Sequence, residues 1–268
     1  MQVNSVQSTA FNSFRNNVQN GMAQSSQRLA GGRRINSAAD DAAGLGIASR
    51  MQAQIGGLNQ GNRNAADMDS ALRTADGTLS TITESLQRVR ELAVQAASPI
   101  MSDADRALIQ TEVNQHLNQI QRAAGDTQFN TMRLLDGSFA DMHMASNPNG
   151  SGMQISIANT SLETLGIDSF DVTSGRPDIA AIDDALAMVS SNRADIGAVQ
   201  NRIEYIMDSN SIASLNQAAA QSRIADADMA LEAMMWEQQQ VLQQYQIFSM
   251  REQMERSRES LGFVGISW

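Results

Sequence analysis

Apolar residues recur every seven positions along two long stretches of this chain, and that spacing leaves few folds open to it. From Met51 one row reads Met51, Leu58, Ala65, Leu72, Leu79, Leu86 and Ala93, and a companion row reads Gln54, Gly61, Met68, Ala75, Ile82, Val89 and Ala96. Such paired rows draw a narrow apolar stripe down one side of a helix, the pattern of helices packed lengthwise. The stripe stops at Pro99. The spacing therefore predicts a helix over about 45–97, roughly 80 Å long at ~1.5 Å per residue. A second stretch runs in one unbroken phase from Ile182 through Val189, Ile196, Ile203, Asn210, Gln217, Ile224, Leu231, Gln238 and Tyr245. Its companion row holds Ala185, Val199, Ile206, Ala213, Met234, Val241 and Phe248. Asn210 and Gln217 interrupt the apolar row, and a polar residue at such a site fixes register at a cost in stability.

Composition agrees with thin helical seams rather than a thick core. Aromatics make up 4% of the 268 residues and prolines number three, while Ala, Gln, Ser, Asn and Met are abundant. Net charge is −10 and all 19 basic residues are arginine, so the footprint of a nucleic-acid binder is missing. Without cysteine there are neither disulfides nor thiolate metal sites. The start, "MQVNSVQSTAFNSFRNN", lacks a basic end and a continuous apolar block, so no cleaved signal peptide is expected. No stretch approaches the ~20 apolar residues of a membrane span.

Shorter segments complete a mostly α fold class, a long helical coiled coil or bundle formed by N- and C-terminal segments with a small β-hairpin element. Phe11, Phe14, Val18, Met22, Ser25 and Leu29 have amphipathic helical spacing. After "SDADRAL", Ser102 can cap a helix whose first turn carries Asp103 and Asp105, with Ile109, Val113, Leu117 and Ile120 inward and Gly125 as its end. From Leu135 to Pro177 the chain turns to "DGSF", "NPNGSG" and "SGRPD", and Met153 to Ala158 alternate as a strand does, which predicts a hairpin.

Enzyme chemistry finds no foothold, and no cofactor is expected. The segment "RINSAADDAAGLGIASRM" has glycines and paired carboxylates, yet Gly44 and Gly46 lie in an alanine-rich helical pattern with no strand before them, unlike a phosphate loop. Asp40 and Asp41 point about 100° apart on a helix, too far to chelate one ion together, and read as first-turn carboxylates after Ser37. His116 and His143 are isolated from any metal-ligand spacing. Asn149 and Asn159 begin N-x-S/T patterns. Arg88, Leu92 and Gln95 form a stripe beside the seam, in which Leu92 either flanks a core or belongs to an intermolecular contact.

"QRLAGGRRINSAADDAAGLGIASRM", "LQRVRELAVQAA", "QTEVNQHLNQIQRAAGDTQFNTMRLLDG" and "SRIADADMALE", in that order, resemble bacterial flagellin in a minimal form without large variable outer domains. The resemblance implies terminal inner-core helices over 1–44 and 226–268 as a channel-lining coiled coil, an outer-core helical bundle over 45–137 and 177–225, and the hairpin and turn region over 138–176. Arg34, Asn36, Asp40, Asp41 and Gly44 would form the joint between layers. Leu72, Leu79, Ile82, Leu86, Val89, Ile196, Ile203, Ile206, Leu231, Met234 and Val241 would supply core seams and assembly contacts. Implied partners are further copies in a helical homopolymer, the flagellar export apparatus, a C-terminal export chaperone, and hook-associated junction and cap proteins, with the filament secreted to the cell exterior. Matching residues Gln87, Arg88, Leu92, Gln95 and Glu112 would meet the flagellin-sensing Toll-like receptor of animals. The mixed-charge, aromatic tail from Arg251 to Trp268 departs from the family pattern. Alternatives are a hook–filament junction protein and a flagellin-like immune ligand that does not polymerise.

Overall fold

The computed structural model describes residues 2–263, and side chains over 11–256. In chain order the elements are α1 (Gln2–Gly31), α2 (Ala42–Ala96), α3 (Asp103–Asp126), β1 (Gln128–Phe129), β2 (Met132–Arg133), β3 (Met142–Ala145), β4 (Gly152–Ile155), α4 (Leu162–Leu165), α5 (Ile179–Ala225) and α6 (Met229–Phe263). The described parts of residues 1–52 and 217–268 make one compact unit and residues 53–216 another, so α2 and α5 contribute to both.

In the unit 53–216 the sevenfold rows of α2 are buried. Leu58, Ala65, Leu72, Leu79, Leu86 and Ala93 lie inside, as do Ala75, Ile82, Val89 and Ala96. Ala71, Ser85 and Leu92 are buried too, which widens the stripe beyond a two-helix seam. The reason is that α2 shares its core with two helices: Ile109, Val113, Leu117, Ile120 and Ala124 of α3, and Ile182, Ala185, Val189, Ile196 and Ile203 of α5, join the same cluster, with Ile206 packed at its edge. Polar pairs set the antiparallel register of α2 on α5. Arg90 Nε reaches Asp183 at 2.7 Å, Arg193 Nε reaches Asp76 at 2.8 Å, and Asn62 Nδ2 donates to the Met207 carbonyl at 3.3 Å. The Arg90–Asp183 pair is exposed and the other two are half-buried, so they fix alignment more than they add stability.

The turn into α3 is closed by one arginine. Arg106 Nε donates to the Ala96 carbonyl at 3.1 Å and its Nη2 to the Ser98 carbonyl at 3.3 Å, satisfying the end of α2. Ser102 caps α3 and forms a capping box with Asp105. Helix α3 runs through Gly125 to Asp126, one residue past the expected end. Asn130 and Thr131, both at positive φ, then make a two-residue turn between β1 and β2, a hairpin that the sequence pattern did not announce.

The expected hairpin is present as β3 paired with β4, and Met153, Ile155 and Ile157 face inward as the alternation required. Its turn sits directly on α2. A β-carbon at Gly61 would collide with the Ser146 carbonyl, and one at Gly57 would lie 2.6 Å from the Pro148 ring. Asn64 Nδ2 donates to the Ala145 carbonyl at 2.9 Å and the buried Asn210 Nδ2 to the Ser146 carbonyl at 2.8 Å. Asn210 therefore breaks the apolar row because it holds the hairpin.

In the other unit α1 packs antiparallel against α6, with Val18 and Ser25 buried. The unbroken phase expected from Ile182 to Phe248 does not hold: helix stops at Ala225 and restarts at Met229. The Ala225 carbonyl accepts from Arg34 N at 2.8 Å, Ala227 N donates to the Gly32 carbonyl at 3.0 Å, and Asp228 Oδ1 accepts from Ala230 N and Leu231 N. Those bonds replace helical ones and re-aim the chain. Among the described residues no helix is long and apolar enough to cross a membrane. In the mixed-charge tail Glu252 and Arg256 pair at 2.6 Å; residues 264–268 lie outside the described residues.

Leu79→Ala should cost about 2–5 kcal/mol in denaturant unfolding, whereas Leu108→Ala at an exposed site should stay within about 0.5 kcal/mol. Asn210→Leu restores the heptad row yet should destabilise by about 1–3 kcal/mol, because the Ser146 carbonyl loses its donor. The Asp105 carboxyl is held below the ordinary range by the Ser102 hydroxyl and amide, and the Asp183 carboxyl by Arg90. A depressed folded-state pKa contributes stability that is complete above the ordinary aspartate range and is lost as pH falls from there through the lowered folded-state value. Acid titration followed by circular dichroism should show that loss, and Asp105→Asn should shallow it.

Candidate functional site

Helix α6 sets a row of polar residues into its seam with α1 and leaves a row of apolar ones exposed. Towards α1 it turns Glu232, Gln239 and Gln246, spaced by seven. Arg28 Nη1 meets Glu232 Oε1 at 3.2 Å, with the glutamate 4% exposed. The Gln239 amide fills the space beside Gly21 and leaves no room there for a β-carbon. Gln246 is buried as well, and Gln239 Oε1 and Gln246 Nε2 have no hydrogen-bond partner. Away from α1, Leu231, Met234, Val241, Tyr245 and Phe248 form an exposed apolar row. Leu231, Met234 and Val241, expected as seam or assembly residues, thus stand outside the α1–α6 seam. The sevenfold spacing of Glu232, Gln239 and Gln246 is the sequence signal of this seam, one that a search for apolar rows does not register because the residues are polar.

The segment 32–41 is irregular, so Asp40 and Asp41 precede α2 instead of occupying its first turn. This corrects the expected placement, and its cause is local hydrogen bonding. Asp40 Oδ2 accepts from Ser37 N at 2.8 Å, Asn36 N at 3.0 Å and Ser37 Oγ at 3.1 Å. The Ser37 and Asn36 amides hold its carboxyl below the usual range. Asp41 Oδ1 accepts from Gly44 N at 2.8 Å, so Asp41 caps α2. Gly44 has no space for a side chain, because the Asp41 carboxylate and the buried Ile35 pack against it. Arg34 donates from Nη2 to the Ile224 carbonyl at 2.6 Å, and Asn36 Nδ2 donates to the Arg33 carbonyl at 3.3 Å. All five predicted joint residues therefore shape one connection, which the bridge between Arg33 and Asp226 ties to the α5–α6 break.

On α2 and α3 the predicted receptor residues divide. Gln87, Arg88 and Gln95 are exposed and Glu112 is half-buried, with Arg88 Nη2 2.8 Å from Glu112 Oε1 and its Nη1 3.0 Å from Glu91 Oε2. Hydrogen bonds from Glu112 first and Glu91 second strengthen the hold of Arg88 on its proton. Leu92 is 2% exposed and belongs to the core, which settles its two readings for the flank of a core. The seam residues Leu72, Leu79, Ile82, Leu86, Val89, Ile196 and Ile203 are buried there also.

Elsewhere the chemistry is sparse. His143 Nε2 lies 3.0 Å from the Gly150 carbonyl in the hairpin, and His116 presents Nδ1 without a partner. Among the described residues no three His, Asp or Glu side chains are grouped so as to hold a metal ion. A cavity of about 530 Å³ between α2 and the hairpins is floored by Phe139 and Met144 and rimmed by Asn64, Asp67 and His143.

Comparisons with known proteins accord with this geometry. Residues 2–140 match the bacterial flagellin N-terminal helical region and residues 179–261 the bacterial flagellin C-terminal helical region. A flagellin of Halalkalibacterium halodurans is 39% identical over 245 residues, which cover 88% of this chain and 89% of that one. Flagellar filament core protein flaB2 of Brachyspira hyodysenteriae is 37% identical over 235 residues, covering 81% and 82%. The crystal structure of Bacillus cereus flagellin is similar with a TM-score of 0.50 at 28% identity, covering 55% of this chain and 88% of that one. A putative flagellar hook-associated protein from Vibrio parahaemolyticus, at 17% identity and a TM-score of 0.56 over 70% of this chain and 100% of that one, shares the fold. Matched along most of its length, with its long helices where the two terminal regions require them, the chain belongs to the bacterial flagellins and is a structural subunit of the flagellar filament.

Proposed function

We propose that copies of this chain associate through the outward row of α6, and that the unit holding α1 and α6 forms the inner, channel-lining layer while the remainder forms the outer one. The observation that carries this is the exposure of Leu231, Met234, Val241, Tyr245 and Phe248 together on one face. Apolar area of that extent gains ~25 cal/mol per Å² when covered, and the α1–α6 seam, with unpartnered glutamine amides, supplies little stability of its own. Covering the row by neighbours adds to the stability of the terminal helices within the filament. The work is mechanical, not catalytic, and takes place outside the cell after export through the flagellar apparatus. An export chaperone that holds the C-terminal segment would shield the same row. Hook-associated junction and cap proteins would meet the ends of the filament.

Exposed Gln87, Arg88 and Gln95, with half-buried Glu112, form the patch offered to an animal flagellin-sensing receptor. Leu92 supports that patch from beneath and touches no partner itself.

Leu231→Asp and Val241→Asp should each abolish elongation of sheared filament fragments while the circular dichroism of the free chain stays unchanged; elongation at the unsubstituted rate would refute the row as the contact. Arg88→Ala with Glu112→Ala should lower receptor signalling at least severalfold and leave elongation intact. Loss of elongation with unchanged signalling would assign the patch to subunit packing instead.

A further inference from the structure

The outward row of α6 includes one thioether. Met234 is 60% exposed, between Leu231 and Val241. Met229 and Met254 are similarly open, but at about 100° per residue they lie some 140–160° around the helix from it. Met144 and Met153 are buried in the core of the unit 53–216. Thioethers react with oxidants according to access, so these three settings on one chain differ both in rate and in consequence.

We propose that Met234 is a modification site: a peroxide oxidises its sulfur to the sulfoxide and thereby withholds a free copy of the chain from the filament without unfolding it. The step balances. A sulfur lone pair attacks one peroxide oxygen, an S–O bond forms as the O–O bond breaks, and with the accompanying proton shift hydrogen peroxide leaves as water. Sulfur gives up two electrons and the peroxide takes them. In the free chain the new oxygen points into water and costs nothing. Under a neighbouring copy, in the contact proposed above, it would be a strong acceptor buried among Leu, Val, Tyr and Phe side chains with no donor, so association is penalised and folding is not. Reduction by a methionine sulfoxide reductase, with two thiols giving a disulfide and water, reverses the change. Copies already assembled would have Met234 covered, so the switch acts on free chains before they join.

The test uses the full chain and hydrogen peroxide. Peptide mass spectrometry should find Met234, Met229 and Met254 oxidised severalfold faster than Met144 and Met153. Elongation of filament fragments should fall in proportion to Met234 oxidation, with unchanged circular dichroism, and reductase treatment should restore it. Met234→Leu should elongate before and after peroxide even with Met229 and Met254 oxidised. Within filaments Met234 should oxidise severalfold more slowly than in the free chain. An oxidised chain that elongates at the untreated rate, or equal oxidation of Met234 in chain and filament, would overturn the inference while leaving assembly through the rest of the row intact. An untreated chain unable to elongate fragments would overturn the assembly reading and this inference with it.

Discussion

A helix with an apolar face must have that face covered, and this chain meets the requirement in two different ways. Along α2 the demand is satisfied internally, since α3 and α5 lie on its stripe and bury Leu72, Leu79, Ile82, Leu86, Val89 and Leu92 in one cluster. Along α6 it is not, since α1 covers the side that carries Glu232, Gln239 and Gln246 and leaves Leu231, Met234, Val241, Tyr245 and Phe248 in solvent. One part of the chain is thus a finished core, and the other is half of an interface. A filament subunit needs both: a rigid body to transmit force, and adhesive surface that is satisfied by other copies.

Small residues and asparagines do the positioning. Gly57 and Gly61 let the turn of the β3–β4 hairpin lie against the backbone of α2, and Asn64 and Asn210 supply donors to its carbonyls. At the entry to α2 it is the side chains of Asp41 and Ile35 that occupy the volume a side chain on Gly44 would need. At these points close backbone approach is worth more than an added methyl group, because each carbonyl that is buried must find a donor. The glycines and amides that disturb a helical pattern are therefore where the helices receive something other than a helix.

The long helices, their spacing and the buried rows of α2 and α5 were legible because a repeat of seven has one geometric meaning. The capping of α3 by Ser102 was legible for the same reason, as a local rule with a local cause. The first hairpin was not, since Asn130 and Thr131 carry no strong turn signal and its strands are two residues each. The placement of Asp40 and Asp41 was not legible, because both outcomes, first turn or cap, use the same residue types. The bonds of Ser37 and Asn36 to Asp40 and of Gly44 to Asp41 decide it.

Composition and periodicity by themselves determined that the chain is helical, that its helices pack lengthwise, and that its middle doubles back through turns. They could not determine which of two heptad rows on α6 faces inward, because Glu232–Gln239–Gln246 and Met234–Val241–Phe248 have equally regular spacing. Tertiary structure decided that. The bonds joining residues 32–34 to residues 224–227 end α5 and re-aim the chain, and a helix restarted after an irregular segment keeps no memory of the phase before it. Orientation about a helix axis is set by what the flanking backbone is tied to, and those ties join residues nearly two hundred positions apart.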